Sequence, residues 1–467
     1  MLALELIDAA LVLARRHGEA ADVIAEAPGV AILEDQATLT GMDALQRVRV
    51  KPLLAHTNFW RGLSTEPLTR PSRVAATTAD VAFAQAEKLL GGYRQQNEPV
   101  LLAVPAGYSR EQLGLLLGVI NETGVPVAGL VDAALAACSL EPAPARVLHL
   151  ELELHQALLT VLEYSGGEHP GLKRSRYEAA LRHGLLDIQQ TLVKFIAESF
   201  VRKTRFDPLH DAATEQRLYD QLPGWLAELQ RSELVTLSFQ FAERELQLEV
   251  ERTQLIAAAE VHYVELLRLV QGARVAGMPI DLRLSQRVAA LPGLLERFQT
   301  LRDCAIRVLP PAAAALGALQ FDSAIRRPAD SLALVYQLPV PRAQNAETRA
   351  ADPEATPPQL RPTHVLFQGR AWSITEQPLT IGWAVEGRRR ALILPSALPG
   401  ISRAHCTLSR RHGSVMVEDH STYGSFVNDE KVVGRTALTV GDRLRLGSPG
   451  VTLEMIQLVN DHGAPQD

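Results

Sequence analysis

Apolar residues in the first part of the chain follow two rhythms. Short unbroken runs, Pro99 to Val104 and Arg146 to Leu152, predict buried strands. Glu178 to Val201, Ala212 to Gln230 and Arg252 to Gln271 carry apolar residues at helical spacing and predict helices. Between Thr78 and Ala137 the rhythms alternate: helix over Thr78 to Gln95, strand over Val100 to Val104, loop over Pro105 to Tyr108, helix over Ser109 to Thr123, strand over Val127 to Leu130, and a helix over Asp132 to Ala137. Ser109 is placed as an N-cap, with Gln112 completing a capping box. This alternation predicts an α/β domain.

The pattern stops at Gln337. From there to Pro362 the chain sets Pro339, Pro341, Pro353, Pro357, Pro358 and Pro362 among Ala, Gln, Glu and Arg, with almost no large apolar residue. Such a stretch cannot bury a core and is expected to be an extended tether. Beyond it the chain reads as short strands. The expected organisation is a large α/β domain over 1–336, a linker over 337–362, an all-β module over 363–460 and a tail over 461–467.

With 467 residues, 47% hydrophobic and 21% charged, the chain can bury more than one core. A net charge of -6 and a sequence pI near 6.1 offer no basic face for nucleic acid or an anionic membrane, so neither is expected as a partner. No run approaches the roughly eighteen apolar residues of a membrane span. Met1 to Arg16 is interrupted by Glu5 and Asp8 and is read as a first strand. Cys138, Cys304 and Cys406 are far apart and lack metal-ligand spacing, which fits a reducing compartment, and a cytoplasmic location is expected.

The C-terminal module holds the densest set of motifs: Gly382-Trp383, Ser402-Arg403-Ala404-His405, Ser421-Thr422-Tyr423-Gly424, Asn428, Gly441-Asp442 and Gly447. Their order and spacing from about Thr363 to Val459 resemble the forkhead-associated (FHA) domain, a β-sandwich whose loops read phosphothreonine. In that family the phosphate is held by the Arg of a Gly-Arg pair, the Ser of Ser-x-x-His, the residue after it, and a Thr in a later loop. By position these are Trp383, Ser402, Arg403 and Thr422, with Ser421 and Tyr423 flanking Thr422. Trp383 stands in place of the family's Arg, and Tyr423 in place of an Asn that would bond the peptide backbone. A hydrogen bond to a charged group is worth roughly 1.5–3 kcal/mol, so the lost Arg matters. Arg403 can supply a replacement guanidinium. Arg388-Arg389-Arg390 either does the same or is a solvated hairpin tip. Gly382, His405, Gly424 and Asn428 take the family's structural positions, and no catalytic role is expected of them.

The larger domain carries Val104-Pro105-Ala106-Gly107-Tyr108, Gly124-Val125-Pro126-Val127, Ala133 to Ala137 and Ala312 to Gln320. These resemble the actin-like ATPase superfamily, closest to its heat-shock chaperone branch, over most of Met1 to Tyr336. The resemblance implies an α/β actin-like two-lobed domain ahead of the all-β FHA sandwich. It also implies ATP held by two Gly-rich hairpins and a Gly-Gly adenosine loop. Here the first hairpin reads Ile7-Asp8-Ala9-Ala10, the second has Glu153, Leu154 and His155 where glycines belong, and Leu282 to Arg287 lacks a Gly-Gly pair. Glycine is needed there because backbone N–H groups must approach phosphate closely. Asp8 and Asp132 are the residual nucleotide-site candidates, Asp132 being equally a plain helix N-cap.

Two further patterns have a plain reading beside a functional one. His149, Glu151, Glu153 and His155 alternate with leucines, which gives a His and carboxylate metal site or a half-exposed strand, the strand being simpler. Glu243 to Gln271 offers a partner-binding helical face or ordinary packing. The expected protein is a non-catalytic adaptor with no cofactor. It would read phosphorylated protein partners through the FHA module, with a pseudo-ATPase domain as scaffold. The alternative is an ATP-binding chaperone-like ATPase, using Mg-ATP, regulated by that module.

Overall fold

The computed structural model describes residues 1–343 apart from 168, 242, 275–277 and 329–330, and residues 361–457 apart from 368–369, 386–389, 395–399, 412–413, 429, 433 and 448–449. The chain divides into two compact units, Met1–Gln271 with Pro279–Ala343, and Gly272–Met278 with Gln344–Asp467.

The first unit is built on two large sheets that repeat one strand order. In the first, β1 (Leu2–Glu5), β2 (Leu11–His17) and β3 (Ala20–Ala27) form an antiparallel meander; β4 (Val100–Val104) then pairs in parallel with β1, and β5 (Val127–Asp132) with β4. In the second, β6 (Arg146–Leu152), β7 (Gln156–Ser165) and β8 (Gly171–Leu181) form the meander, while β9 (Ile280–Leu284) pairs in parallel with β6, and β10 (Cys304–Val308) with β9. Strands β1, β4 and β5 are buried along their whole length, as their unbroken apolar runs require of parallel strands covered on both faces. Met1 to Arg16, expected as one strand, is the β1–β2 hairpin, closed where Ala10 N–H bonds Ile7 O at 3.0 Å.

Helices α1 (Thr78–Leu90) and α2 (Arg110–Glu122) follow the predicted positions, and α2 opens with the capping box from Ser109 and Gln112. Helix α3 (Ala133–Cys138) follows β5 directly. Two helical expectations change. Glu178–Leu181 completes β8 by pairing with β7, and helix α4 (Leu185–Thr204) begins only after Gly184. A Cβ on Gly184 would lie 2.3 Å from Gln156 N, so the chain turns there against the β6–β7 hairpin. Helix α5 (Ala212–Leu229) is as expected, whereas Arg244–Glu251 is a strand paired with Leu234–Phe241, and Arg252 to Gln271 breaks at Ala259 into α6 (Arg252–Ala258) and α7 (Glu260–Gly272).

The expectation of a half-exposed strand at His149 to His155 is overturned: His149, Glu151 and Glu153 are 4, 5 and 3% exposed. Their side of β6 turns into the unit. Helix α8 (Ala313–Gln320) packs on α3, and both are rich in alanine, with Gly317 in α8, because the backbones almost touch. The chain then adds β11 (Leu334–Val335) beside β5 and β12 (Gln337–Leu338) beside β8, and Ala143 bridges Arg342. Residues 337–343 therefore belong to the first unit although their composition reads as linker; 344–360 lie outside the described residues.

The second unit is a sandwich. One sheet runs β14 (Arg370–Ser373), β13 (His364–Phe367), β23 (Val451–Ile456), β22 (Arg443–Leu446), β19 (Ser425–Val427), β20 (Glu430–Lys431). The other runs β16 (Arg390–Ile393), β15 (Leu379–Gly382), β17 (Cys406–Arg411), β18 (Ser414–Asp419), β21 (Arg435–Leu438). Val365, Ile381, Leu408, Val417, Leu444 and Met455 fill the space between them with at most 1% exposure, the inward half of each alternating strand.

A Cβ on Gly317 would lie 1.9 Å from the Ala136 carbonyl oxygen, a backbone atom that cannot move aside. Gly317→Val is expected to destabilise the first unit by about 3 kcal/mol, read from urea unfolding and from faster amide exchange in α3 and α8.

Candidate functional site

Three loops meet at one end of the sandwich: the chain leaving β15, residues 400–405 before β17, and residues 420–424 between β18 and β19. Close backbone approach sets them. A Cβ on Gly382 would lie 1.9 Å from Arg403 O, so only glycine lets the first two loops touch. There Ala384 N–H bonds Arg403 O at 3.1 Å.

His405 is fully buried and ties the loops together. Its Nδ1 accepts from Ser402 N–H at 3.0 Å and its Nε2 donates to Gly424 O at 3.1 Å, which fixes the Nε2–H tautomer. Burial pushes its pKa below the usual value despite Gly424 O and Asp419, so the ring is neutral. Gly424 takes the positive φ of +81° that the turn needs, and its oxygen also accepts from Gly447 N–H.

Ser402 and Thr422 are brought together directly, since Ser402 Oγ accepts from Thr422 N–H at 3.2 Å. Arg403, the residue after Ser402, is exposed, and its guanidinium lies 5.7 Å from the Trp383 ring centroid. Trp383 and Arg403 are thus within cation–π distance of each other. Ser421 N–H bonds Asp419 Oδ1 at 3.2 Å, and Ser421 Oγ is buried without a hydrogen-bond partner among the described residues. Thr422 and Tyr423 are exposed, Tyr423 at 58%. Asn428 is remote from a ligand role: Nδ2 donates to Asp442 Oδ1 and Oδ1 accepts from Arg443 N–H, both at 2.9 Å, pinning its hairpin to the Gly441–Asp442 turn. Arg390 is bound to Ser373 and Thr375, while Arg388 and Arg389 lie outside the described residues.

In the first unit Asp8 and Asp132 are apart in role. Asp132 caps α3, with Oδ1 accepting from Leu135 N–H at 3.0 Å and Oδ2 paired to Arg174 at 2.6 Å. Asp8 sits in the β1–β2 turn, 4% exposed, and its Oδ1 accepts from Leu154 N–H at 2.8 Å, joining the two meander hairpins. Asp8 Oδ2 has no hydrogen-bond partner among the described residues. Glu153 pairs with Arg61 at 3.2 Å and accepts from Gln156 Nε2. Burial, then the charge of Asp8, raises the Glu153 pKa to about 8. Among the described residues no group of His, Cys, Asp and Glu is arranged to hold a metal ion.

The sequence reading missed a triad here. Arg287, just after β9, reaches Glu5 at the end of β1 (3.4 Å), Glu151 in β6 (3.2 Å) and Ala10 O (3.0 Å). Glu5 also accepts the N–H groups of Ala314 and Ala315 at the start of α8. Burial works against the charged Arg287, yet the two carboxylates prevail and its pKa is raised. The signal was present: Leu4-Glu5-Leu6 and Leu150-Glu151-Leu152 are one tripeptide at equivalent places in the two meanders.

The family model of the FHA domain matches residues 380–447, which span all three loops. The second unit therefore carries an FHA domain, a protein-interaction module. Comparison with curated proteins gives no match. Among the described residues no helix is long and apolar enough to cross a membrane.

Two outcomes are expected. His405→Leu leaves the Ser402 N–H and Gly424 carbonyl without their buried partner. It should destabilise the second unit by about 2–5 kcal/mol, seen as faster amide exchange in β17 and β19. For Glu153 the folded pKa of about 8 exceeds the ordinary 4.5, so the folded state holds a proton the unfolded chain has released. That stabilisation is complete below about pH 4.5 and is lost as pH rises through 8. Glu153→Gln, which cannot ionise, should flatten the fall and exceed the wild type in stability above pH 8 by about 1 kcal/mol or more in urea unfolding.

Proposed function

We propose that the protein is a non-catalytic adaptor whose FHA domain reads phosphothreonine in a protein partner through Ser402, Arg403 and Thr422. One observation carries this reading: Ser402 Oγ and Thr422 N–H are bonded to each other at the loop crest, beside the exposed Arg403 guanidinium. A phosphate has close to two negative charges and three acceptor oxygens, and asks for donors set at fixed positions. The framework His405 bonds supply the rigidity, and Arg403 the charge. Tyr423, exposed beside Thr422, adds aromatic surface for the peptide. Ser421 supports the same loop through Asp419.

The first unit, on this reading, is an actin-like scaffold that has lost its nucleotide. Its support is the strand order repeated in two sheets and the close α3–α8 contact. The residues present do not fit Mg-ATP. Side chains of Glu153 and His155 fill the second hairpin, the Leu154 N–H is taken by Asp8, and Arg287 stands between the carboxylates that would otherwise face a metal. The N–H groups of Leu185 and Leu186 are likewise taken, by the carbonyls of Glu153 and Leu154.

Titration of the full chain against a degenerate phosphothreonine peptide library, with the unphosphorylated library as control, tests the reading. Phosphate-dependent binding is expected, weakened about tenfold or more by Ser402→Ala and by Arg403→Ala. Equal binding to both libraries would sink it.

A further inference from the structure

A cavity of about 350 Å³ opens in the first unit beside the Glu5–Arg287–Glu151 triad. Its size suits a small organic molecule. Ile7, Val12 and Leu309 give it apolar walls, and Val23 and Glu26 of β3, both exposed, stand at its mouth. His149 lines it as well. That ring is 4% exposed, and no hydrogen bond to it is made among the described residues. Burial lowers its pKa, so it faces the cavity neutral, with one nitrogen free to accept.

The charges decide what enters. Glu151 sets its negative charge against the positive charge of Arg287, Glu5 is a second carboxylate whose pKa burial raises although Arg287 opposes it, and Glu26 adds a carboxylate at the mouth. The N–H groups of Ala314 and Ala315 at the start of α8 are already met by Glu5 and are not open to an anion. A nucleoside phosphate would enter against this field, whereas a monocation balances it. We propose that the cavity binds a small organic cation, an ammonium group on a compact apolar body, with the ammonium N–H donated to His149 and its charge set against Glu151 and Glu26. The site is separate from the FHA loops and independent of the phosphopeptide reading.

Calorimetric titration of the full chain at neutral pH with benzylamine, against benzoate and benzyl alcohol as probes of similar shape, tests it. Saturable benzylamine binding is expected, at least about tenfold tighter than either control. Glu26→Lys, at the exposed mouth, should weaken benzylamine at least about threefold with the unfolding midpoint unchanged. His149→Phe, which fills the cavity, should abolish binding. Absence of saturable benzylamine binding, equal binding of benzoate, or benzylamine binding that Glu26→Lys leaves intact would each overturn the proposal.

Discussion

The first unit depends on one guanidinium. Arg287 is held by Glu5 from the first sheet and Glu151 from the second, and Glu5 in turn caps α8. Removing three charges from water costs several kcal/mol per ion, and attraction offsets that only when every donor and acceptor is matched. Here the matches come from different elements: β1, β6, the start of α8 and the β1–β2 turn. The triad can therefore form only when both sheets and the helix are in register, which makes it a check on the assembled geometry more than a source of net stability. Its members are interdependent, since loss of Arg287 leaves both buried carboxylates without their cation.

The second unit is organised by backbone approach. Gly382 lets Arg403 O come close, and His405 then bonds loops on both sides of itself. These constraints use residue types with few substitutes: a glycine where no Cβ fits, and a side chain with an acceptor and a donor at fixed separation. That is why the module was legible from motifs even though Trp383 and Tyr423 depart from the family pattern. The exposed loop residues Arg403, Thr422 and Tyr423 carry no such constraint. Their meaning rests on what a partner brings, and the sequence alone left Arg403 beside Trp383 without its cation–π geometry.

In the first unit the sequence was readable wherever local periodicity and packing agreed. Ser109 and Gln112 formed the predicted box, and the apolar runs at Val100 and Val127 became central parallel strands. It misled where two periods overlap. Ala179, Ala180 and Leu181 satisfy helical spacing but are held in β8 by pairing with β7, a long-range contact no local window contains. Likewise, the alternation of His149, Glu151 and Glu153 is a strand's alternation, but it says nothing of whether the polar face meets water. Burial on both faces follows from the sheet being enclosed, a tertiary fact. Residues 337–343 misled in the opposite sense, their prolines hiding a short strand that β8 recruits.

The hairpin turns of the first unit and the placing of Arg287 have a common physical sense. A phosphate cradle leaves many backbone N–H groups pointed at an empty space, and such groups are costly unless a ligand or water meets them. In this chain they are met from within: Leu154 N–H by Asp8, Leu185 and Leu186 N–H by hairpin carbonyls, Ala314 and Ala315 N–H by Glu5. Each internal bond removes a donor from any anionic ligand and adds a fixed negative or neutral group in its place. The donors of these turns are satisfied from within, and the apolar, acid-lined cavity opens beside them. The proposed preference of that cavity for a cation would then follow from how the nearby donors are satisfied: carboxylates are the means, and carboxylates that keep their charge leave a field that favours a cation.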